Sequence, residues 1–431
     1  MRSSPARRAL RGLYSLAMYL LAPLTLYHLV WRGMRQREYL QRWGERFGWL
    51  AARAPGGALW VHAVSVGEVN AAQPLVNAFR RAHPGRRLVV TTVTPTGSAR
   101  GRALWGEGVE HLYLPYDMPG AVARFLDHVR PAAGVVMETE IWPNLFCQCQ
   151  DRGIPLMIAN ARLSARSLRG YAPLRPLVRM ALDAVALVAA QSQHDAHRYQ
   201  VLGAAPERVR VTGNLKYDQD MDPALLPQAH AWRRGWGAAR PVWIAASTHE
   251  EEVAAVLAAH RAVLARHPHA LLLWAPRHPD RFAGVAAAAR EAGFDVATRT
   301  RDRLPGPDTA CFVVDTLGEL MAFYAAADLA FVGGSLQPIG GHNLLEPAAL
   351  GVPSVVGPET FNFAEITRAL LRVDAVRQVA DAEALAVAVS ELLDDRVACA
   401  RMGAAGRALV AEERGALART LELLETLLPA A

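Results

Sequence analysis

The chain has 431 residues, 52% of them hydrophobic and 20% charged, with 33 Gly and 27 Pro, an ordinary globular composition that excludes disorder, a collagen-like fibre and a coiled coil as overall classes. Its length predicts two or three domains, and a mean hydropathy of +0.08 argues against a polytopic membrane protein. The formal net charge of +7 suits an anionic partner (lipid headgroup, phosphorylated substrate or nucleic acid) as well as a plain basic surface, and no zinc-finger, RRM or KH pattern is present, so nucleic acid is the weakest of the three.

Residues 12–31 (GLYSLAMYLLAPLTLYHLVW) carry no formal charge. As a straight helix they would be about 30 Å long, the thickness of a bilayer core. Tyr14, Tyr19, Tyr27 and Trp31 suit its interfaces, and arginines flank it on both sides, from Arg2 to Arg11 and from Arg32 to Arg46. No A-x-A-like cleavage site follows the run. A membrane anchor over residues 1–35 is therefore predicted in place of a signal peptide, with a span and an in-plane seat both open. Cys147, Cys149, Cys311 and Cys399 are too few for a disulfide framework and read as reduced thiols.

From residue 58 short apolar runs alternate with helical stretches. Strands are predicted at 58–65, 87–94, 132–138, 154–161, 184–192 and 208–214, with a helix from Gly67 to about Ala82 after the first. Polar, irregular sequence over residues 217–239 reads as a linker. The pattern restarts with strands at 241–248, 270–277, 310–315, 329–335 and 352–358, and Ala-rich helices close the chain from Asp381. The predicted organisation is an anchor (1–35), a Rossmann-like domain (36–216), a linker (217–239) and a second Rossmann-like domain with C-terminal helices (240–431). Strands alternating with helices imply parallel, doubly wound α/β sheets, and two such domains facing each other are the GT-B arrangement of glycosyltransferases. Ligands in such sheets lie beyond the carboxyl ends of the strands.

The strand ends are where chemistry collects. His62-Ala63-Val64-Ser65-Val66-Gly67-Glu68 runs from a strand into a helix. Glu68 can serve as a general base at the cleft, or simply complement the helix dipole. Met137-Glu138-Thr139-Glu140 sets two carboxylates at the end of the third predicted strand, and spacing does not say which faces inward. Gly213-Asn214-Leu215-Lys216-Tyr217-Asp218 holds the only lysine of the chain, against 47 Lys and Arg together. Its persistence where arginine is otherwise used points to a compact ammonium at that place. Asparagine is scarce too, at seven.

In the second half, Ser247-Thr248-His249-Glu250-Glu251-Glu252 opens a helix after a strand. Pro276-Arg277-His278-Pro279 offers a guanidinium suited to phosphate or carboxylate. Asp315-Thr316-Leu317-Gly318-Glu319 begins another helix. Gly333-Gly334-Ser335 and Gly340-Gly341-His342-Asn343-Leu344-Leu345-Glu346-Pro347 allow close backbone approach to a phosphate, with Glu346 suited to ribose hydroxyls. Metal readings fare poorly: His194 and His197 lack a third ligand, and Cys147-Gln148-Cys149 has the wrong spacing. Walker A, intact G-x-G-x-x-G and G-x-S-x-G motifs are absent.

Taken in order, the N-terminal apolar anchor, HAVSVGEV, METEIWPN, ANARLS, GNLKYD, STHEEE, PRHPDRF, DTLGEL, GGSL and GGHNLLEP resemble the 3-deoxy-D-manno-octulosonic acid (Kdo) transferases of Gram-negative lipopolysaccharide synthesis over nearly the whole chain. The resemblance implies an inverting, metal-independent GT-B enzyme without a cofactor. It would move Kdo from CMP-Kdo to a tetra-acylated, bisphosphorylated lipid A precursor, its body on the cytoplasmic side of the inner membrane. It further implies Glu68 as the base and Glu138 and Lys216 as transition-state stabilisers. CMP would be bound by Pro276 and Arg277, by Leu317, Gly318 and Glu319, and by Asn343, Leu344, Leu345 and Glu346. Two alternatives stay open: another GT-B enzyme, a transferase or 2-epimerase using a UDP-sugar, and a catalytically silent, membrane-tethered lipid-binding module.

Overall fold

The computed structural model describes residues 5–50, 55–218 and 222–429. Two compact units result, residues 1–219 with 414–431 and residues 220–413. The sheet of the first unit contains β1 (Ala58–His62), β2 (Leu88–Thr92), β3 (Glu110–Tyr113), β4 (Pro131–Met137), β5 (Leu156–Ala161), β6 (Leu187–Ala190) and β7 (Val209–Val211), in the order β3-β2-β1-β4-β5-β6-β7. That of the second contains β8 (Val242–Thr248), β9 (Leu271–Pro276), β10 (Val296–Thr298), β11 (Cys311–Val313), β12 (Leu329–Val332), β13 (Ser354–Val356) and β14 (Val376–Gln378), in the order β10-β11-β9-β8-β12-β13-β14. Every pairing is parallel. Runs such as Leu156–Ala161 and Leu271–Pro276 are buried at every position, as strands covered by helices on both faces must be.

The predicted α/β architecture holds, with three additions. β3, β10 and β14 have no counterpart in the sequence reading, and all three are edge strands of three or four residues with partly exposed positions. An edge strand buries less and carries more polar residues, so it lacks the apolar run that marks its neighbours.

Two predicted boundaries are corrected. Within the supposed linker 217–239, Leu225–Trp236 forms a helix whose Ala229, Trp232 and Trp236 pack on the second sheet. Its apolar positions recur at helical spacing, but Pro227 and Gly235 interrupt the pattern. At the other end, helix Ala416–Glu425 belongs to the first unit: Ala416 and Leu424 join Val69, Leu75, Val76 and Phe79 in its core. Asp218 fixes this return, its two carboxylate oxygens accepting the N–H groups of Gly415 (2.8 Å) and Leu417 (2.7 Å).

The N-terminal segment is two helices, α1 (Pro5–Leu20) and α2 (Ala22–Arg35), bent by 44° between them. No single helix among the described residues is long and apolar enough to cross a membrane; this pair passes by length and composition only when taken together. The straight 12–31 helix of the sequence reading is thus broken at Leu21. α1 lies on the first unit through its polar side. Arg11 pairs with Asp151 (2.6 Å), Tyr14 donates to Asp117 (2.9 Å), Ser15 donates to Asn144 (2.9 Å) and Tyr19 accepts from the Gly120 N–H (3.1 Å). Leu13, Leu16, Leu20, Leu24 and Tyr27 remain exposed.

Candidate active site

β1 and β4 are neighbours, yet their chains leave in opposite directions, to β2 and to β5, which opens a crevice beyond their carboxyl ends. Glu68 and Glu138 stand on its two sides. Helix α3 (Val66–Ala82) starts directly after β1, with Ser65 extended at its N-cap and Glu68 in the first turn. Glu68 Oε2 accepts the N–H of Val64 at 2.7 Å. The carboxyl therefore does help to start the helix, and the same bond folds it back over the strand end. Burial pushes its pKa up to about 8; the Val64 N–H works against this, Glu138 and Glu140 add to it, and Lys216 opposes it.

Glu138 follows β4 with φ 57, a left-handed conformation that is uncommon for a side-chain-bearing residue. Two bonds hold the kink. Its N–H donates to the Ala159 carbonyl (3.0 Å), and its carbonyl accepts the Tyr199 hydroxyl (2.8 Å). Lys216 Nζ lies 3.5 Å from Glu138 Oε1. This pairing answers the question left by the Glu-Thr-Glu spacing, because Glu138 is the carboxylate that meets the lysine. Glu140 is kept protonated more readily than a free carboxyl, by burial and by the nearby Glu138 charge.

Lys216 has a long way to come, since β7 lies three strands from β4. Asn160, fully buried at the end of β5 with φ 53, brings it back: its Oδ1 accepts the Leu215 N–H at 3.0 Å. Leu215 is itself fully buried, and Asn214 Oδ1 accepts the Lys216 N–H (3.0 Å). The 213–218 segment is thus drawn over the strand ends until the ammonium reaches Glu138. His62, in the same motif as Glu68, is instead fully buried and bonded through Nδ1 to Thr91, with burial depressing its pKa to about 4. It belongs to the core.

In the second unit β8 and β12 are the neighbours whose chains diverge. Glu252, fully buried, joins them: its carboxylate accepts the N–H groups of His249 (3.0 Å), Gly334 (2.8 Å), Ser335 (3.1 Å) and Leu336 (3.1 Å). Gly334 and Gly341 are tied by a backbone bond of 2.6 Å, and both adopt positive φ. Past them, Asn343 Oδ1 accepts the Leu345 N–H and its Nδ2 donates to Glu346 Oε1, each at 3.1 Å. Burial raises the Glu346 pKa, opposed by Asn343 and by the charge of Arg277. Arg277 is exposed at the end of β9, and its guanidinium makes no hydrogen bond or ion pair among the described residues.

The predicted CMP-binding residues fall into two groups. Arg277, Asn343 and Glu346 are electrostatically linked, and Pro276 is buried at the strand end behind Arg277. Leu344 and Leu345 are buried, and the Leu345 N–H is already taken by Asn343. Leu317, Gly318 and Glu319 follow β11, the neighbour of β9. The Glu319 carboxylate is already engaged by Arg299, which holds its pKa down, while Leu317 and Gly318 are exposed. Sequence reasoning missed Asn160, Tyr199, Glu252 and the pairing of His249 with His342, whose Nε2 atoms are 2.9 Å apart. For Asn160 a signal existed in the scarcity of asparagine. Among the described residues no group of three or more His, Cys, Asp or Glu side chains is arranged to hold a metal ion.

Known proteins resemble the chain in sequence and in fold. A family model described as 3-deoxy-D-manno-octulosonic-acid transferase (kdotransferase) matches residues 41–219. The 3-deoxy-D-manno-octulosonic acid transferase of Haemophilus influenzae is 43% identical over 418 residues, covering 96% of this chain and 98% of its own. That of Bordetella pertussis is 40% identical over 434 residues, covering 96% and 99%. Among solved structures, Acinetobacter baumannii MurG superposes with a TM-score of 0.55 at 12% identity, over 86% of this chain and all (100%) of its own. A UDP-GlcNAc 2-epimerase from Neisseria meningitidis, bound to UDP-GlcNAc, gives 0.54 at 12% identity, over 86% and 100%. At such identities the last two share the fold alone, the two-domain α/β architecture of the GT-B class.

Proposed function

The chain belongs to the 3-deoxy-D-manno-octulosonic acid transferase family, and from that membership we propose that it moves Kdo from CMP-Kdo to a phosphorylated, tetra-acylated lipid A precursor, with inversion and with Glu68 as the base. The observation that carries this reading is the convergence of Glu68, Glu138 and Lys216 where the first sheet divides. Glu68 Oε1 is left for an acceptor hydroxyl once Oε2 has bonded the Val64 N–H. In its ionised form Glu68 takes the hydroxyl proton as the new C–O bond forms on the face opposite the leaving group. The bond from the anomeric carbon to CMP breaks, and its electron pair leaves on the phosphate. Lys216 is the proposed stabiliser of the transition state, and Glu138 keeps its ammonium in position. Arg277 and the Asn343–Glu346 turn are the groups proposed to hold CMP.

Purified protein, given CMP-Kdo and lipid A precursor, is expected to yield a product heavier by Kdo, read by mass spectrometry. A folded protein that gives no adduct would refute the proposal. CMP, rather than UDP, is expected to raise the thermal unfolding temperature, and the opposite preference would favour a UDP-sugar enzyme.

Attachment to the cytoplasmic face of the inner membrane is part of the same proposal. Its support is the exposed row Leu13, Leu16, Leu20, Leu24 and Tyr27, set opposite the polar contacts that seat α1 on the body. An in-plane seat keeps those contacts, whereas a span would break them. Flotation with anionic liposomes is expected to carry the wild type upward and to leave the Leu16→Glu/Leu20→Glu variant behind. Equal flotation of both would exclude this face as the anchor.

A further inference from the structure

Three histidines from separate elements meet at the crevice of the second sheet: His249 after β8, His278 after β9 and His342 beyond β12. The His249 and His342 rings are parallel to within 1°, with their Nε2 atoms 2.9 Å apart, and His278 meets His249 edge-on at 5.4 Å between centroids. The pair is built in. The backbone N–H of His249 is held by Glu252, and a Cβ at Gly334 would come within 2.9 Å of the His342 ring, so only glycine leaves room for it.

An Nε2–Nε2 hydrogen bond needs one proton between two nitrogens. With both rings neutral, one donates and the other accepts. One further proton converts the bond into a charge-assisted one without breaking it; a second would set two cations face to face. The pair therefore takes one proton and no more. Its surroundings hold it neutral when the site has no anion. Around His342 stand Arg277, His249 and His278; around His249 stand Glu252, Glu251, His278 and Arg277. Burial and the charge of Arg277 depress His342 to about 4, and burial depresses His249 as well. A phosphate against Arg277 would cancel that cationic charge and add negative charge of its own, which favours protonation of the pair.

We propose that the His249–His342 pair is the charge-balancing group for the donor's phosphate, taking one proton from solvent when a nucleoside monophosphate binds beside Arg277. The inference rests on the reading of the second unit as the CMP-binding unit. It gives that unit a means of matching its charge to the phosphate, which gains negative charge when it departs as CMP. The pair acts on the charge of the phosphate and takes no part in the bonds made and broken, so both are positioning residues.

Calorimetric titration of the full chain with CMP, near pH 7 in buffers of differing ionisation enthalpy, reads the proton directly. The wild type is expected to take up about half a proton or more per CMP bound. His342→Gln and His249→Gln are expected to bind CMP about tenfold more weakly, with loss of the uptake and little change towards cytidine. Uptake that persists in both variants would come from the ligand's own phosphate and overturn the proposal, as would a wild type that binds CMP with no uptake. A wild type that binds no CMP would overturn the donor assignment itself, a separate failure. Should the variants not fold, the proton resonances of the two imidazoles in the wild type decide: saturating CMP must move a midpoint upward, and unchanged midpoints refute the inference.

Discussion

Ionising Glu68 means placing a negative charge in a half-buried position beside Glu138 and Glu140, with one ammonium to offset it. Burial and the two carboxylates raise its pKa to about 8, so at neutral pH the base form is the minor one. For a group that must be ionised to act, kcat/KM should rise with pH, by about tenfold from pH 7 to a plateau above the pKa. Glu68→Gln should abolish that limb and turnover with it while CMP binding persists; unchanged turnover would remove Glu68 from the base role. Lys216 lowers the Glu68 pKa and Glu138 raises it, so Lys216→Met should move the limb to higher pH and Glu138→Gln to lower pH. Lys216→Arg is the stricter test of the single lysine. A planar guanidinium cannot copy an ammonium 3.5 Å from Glu138, and turnover should fall by at least about tenfold. Scarcity pointed to Lys216, and it could have pointed to asparagine as well. Asn144, Asn160, Asn214 and Asn343 each bond backbone or side chains that shape strand ends. What no spacing reveals is that Asn160, on one strand, positions a lysine that follows another.

At the level of elements, loops after separate strands are joined by single buried carboxylates. Glu252 joins the segment after β8 to the one after β12 through four N–H groups. Glu252→Ala would leave those donors buried and unpaired, at a cost of about 3 kcal/mol or more, read as a lower denaturation midpoint for the second unit. Because the same N–H groups set the glycine loop before His342 and Asn343, CMP affinity should fall in parallel. Loss of stability without loss of affinity would separate the loop from the site. The sequence shows an acidic helix start at 250–252, which dipole complementation would explain, and only the fold reveals that the third of these acids faces inward. Central strands were legible because both faces are buried, whereas three of the four edge strands, β3, β10 and β14, were not; the fourth, β7, was read from its Val-Arg-Val alternation.

On the scale of the whole molecule, the chain completes its first unit only after building the second. It leaves the first unit at residue 219, forms residues 220–413, and returns with 414–431. The returning helix supplies Ala416, Thr420 and Leu424, all fully buried, and Asp218 bonds its first turn. Burial at Leu424 alone is worth about 2 kcal/mol or more by the usual cost of truncating a core leucine. The second unit has no such debt, since its core clusters lie wholly between Leu225 and Met402. Removal of everything after Glu413 should therefore lower one unfolding transition by about 10 °C or more and leave the other in place. Residues 220–413 expressed alone should unfold at the temperature of the undisturbed transition. Asp218→Ala, which removes two bonds and no apolar surface, should shift the same first-unit transition by less than the truncation does. If truncation lowered both transitions equally, the two units would not be thermodynamically separate, and the closing helix would have to stabilise both.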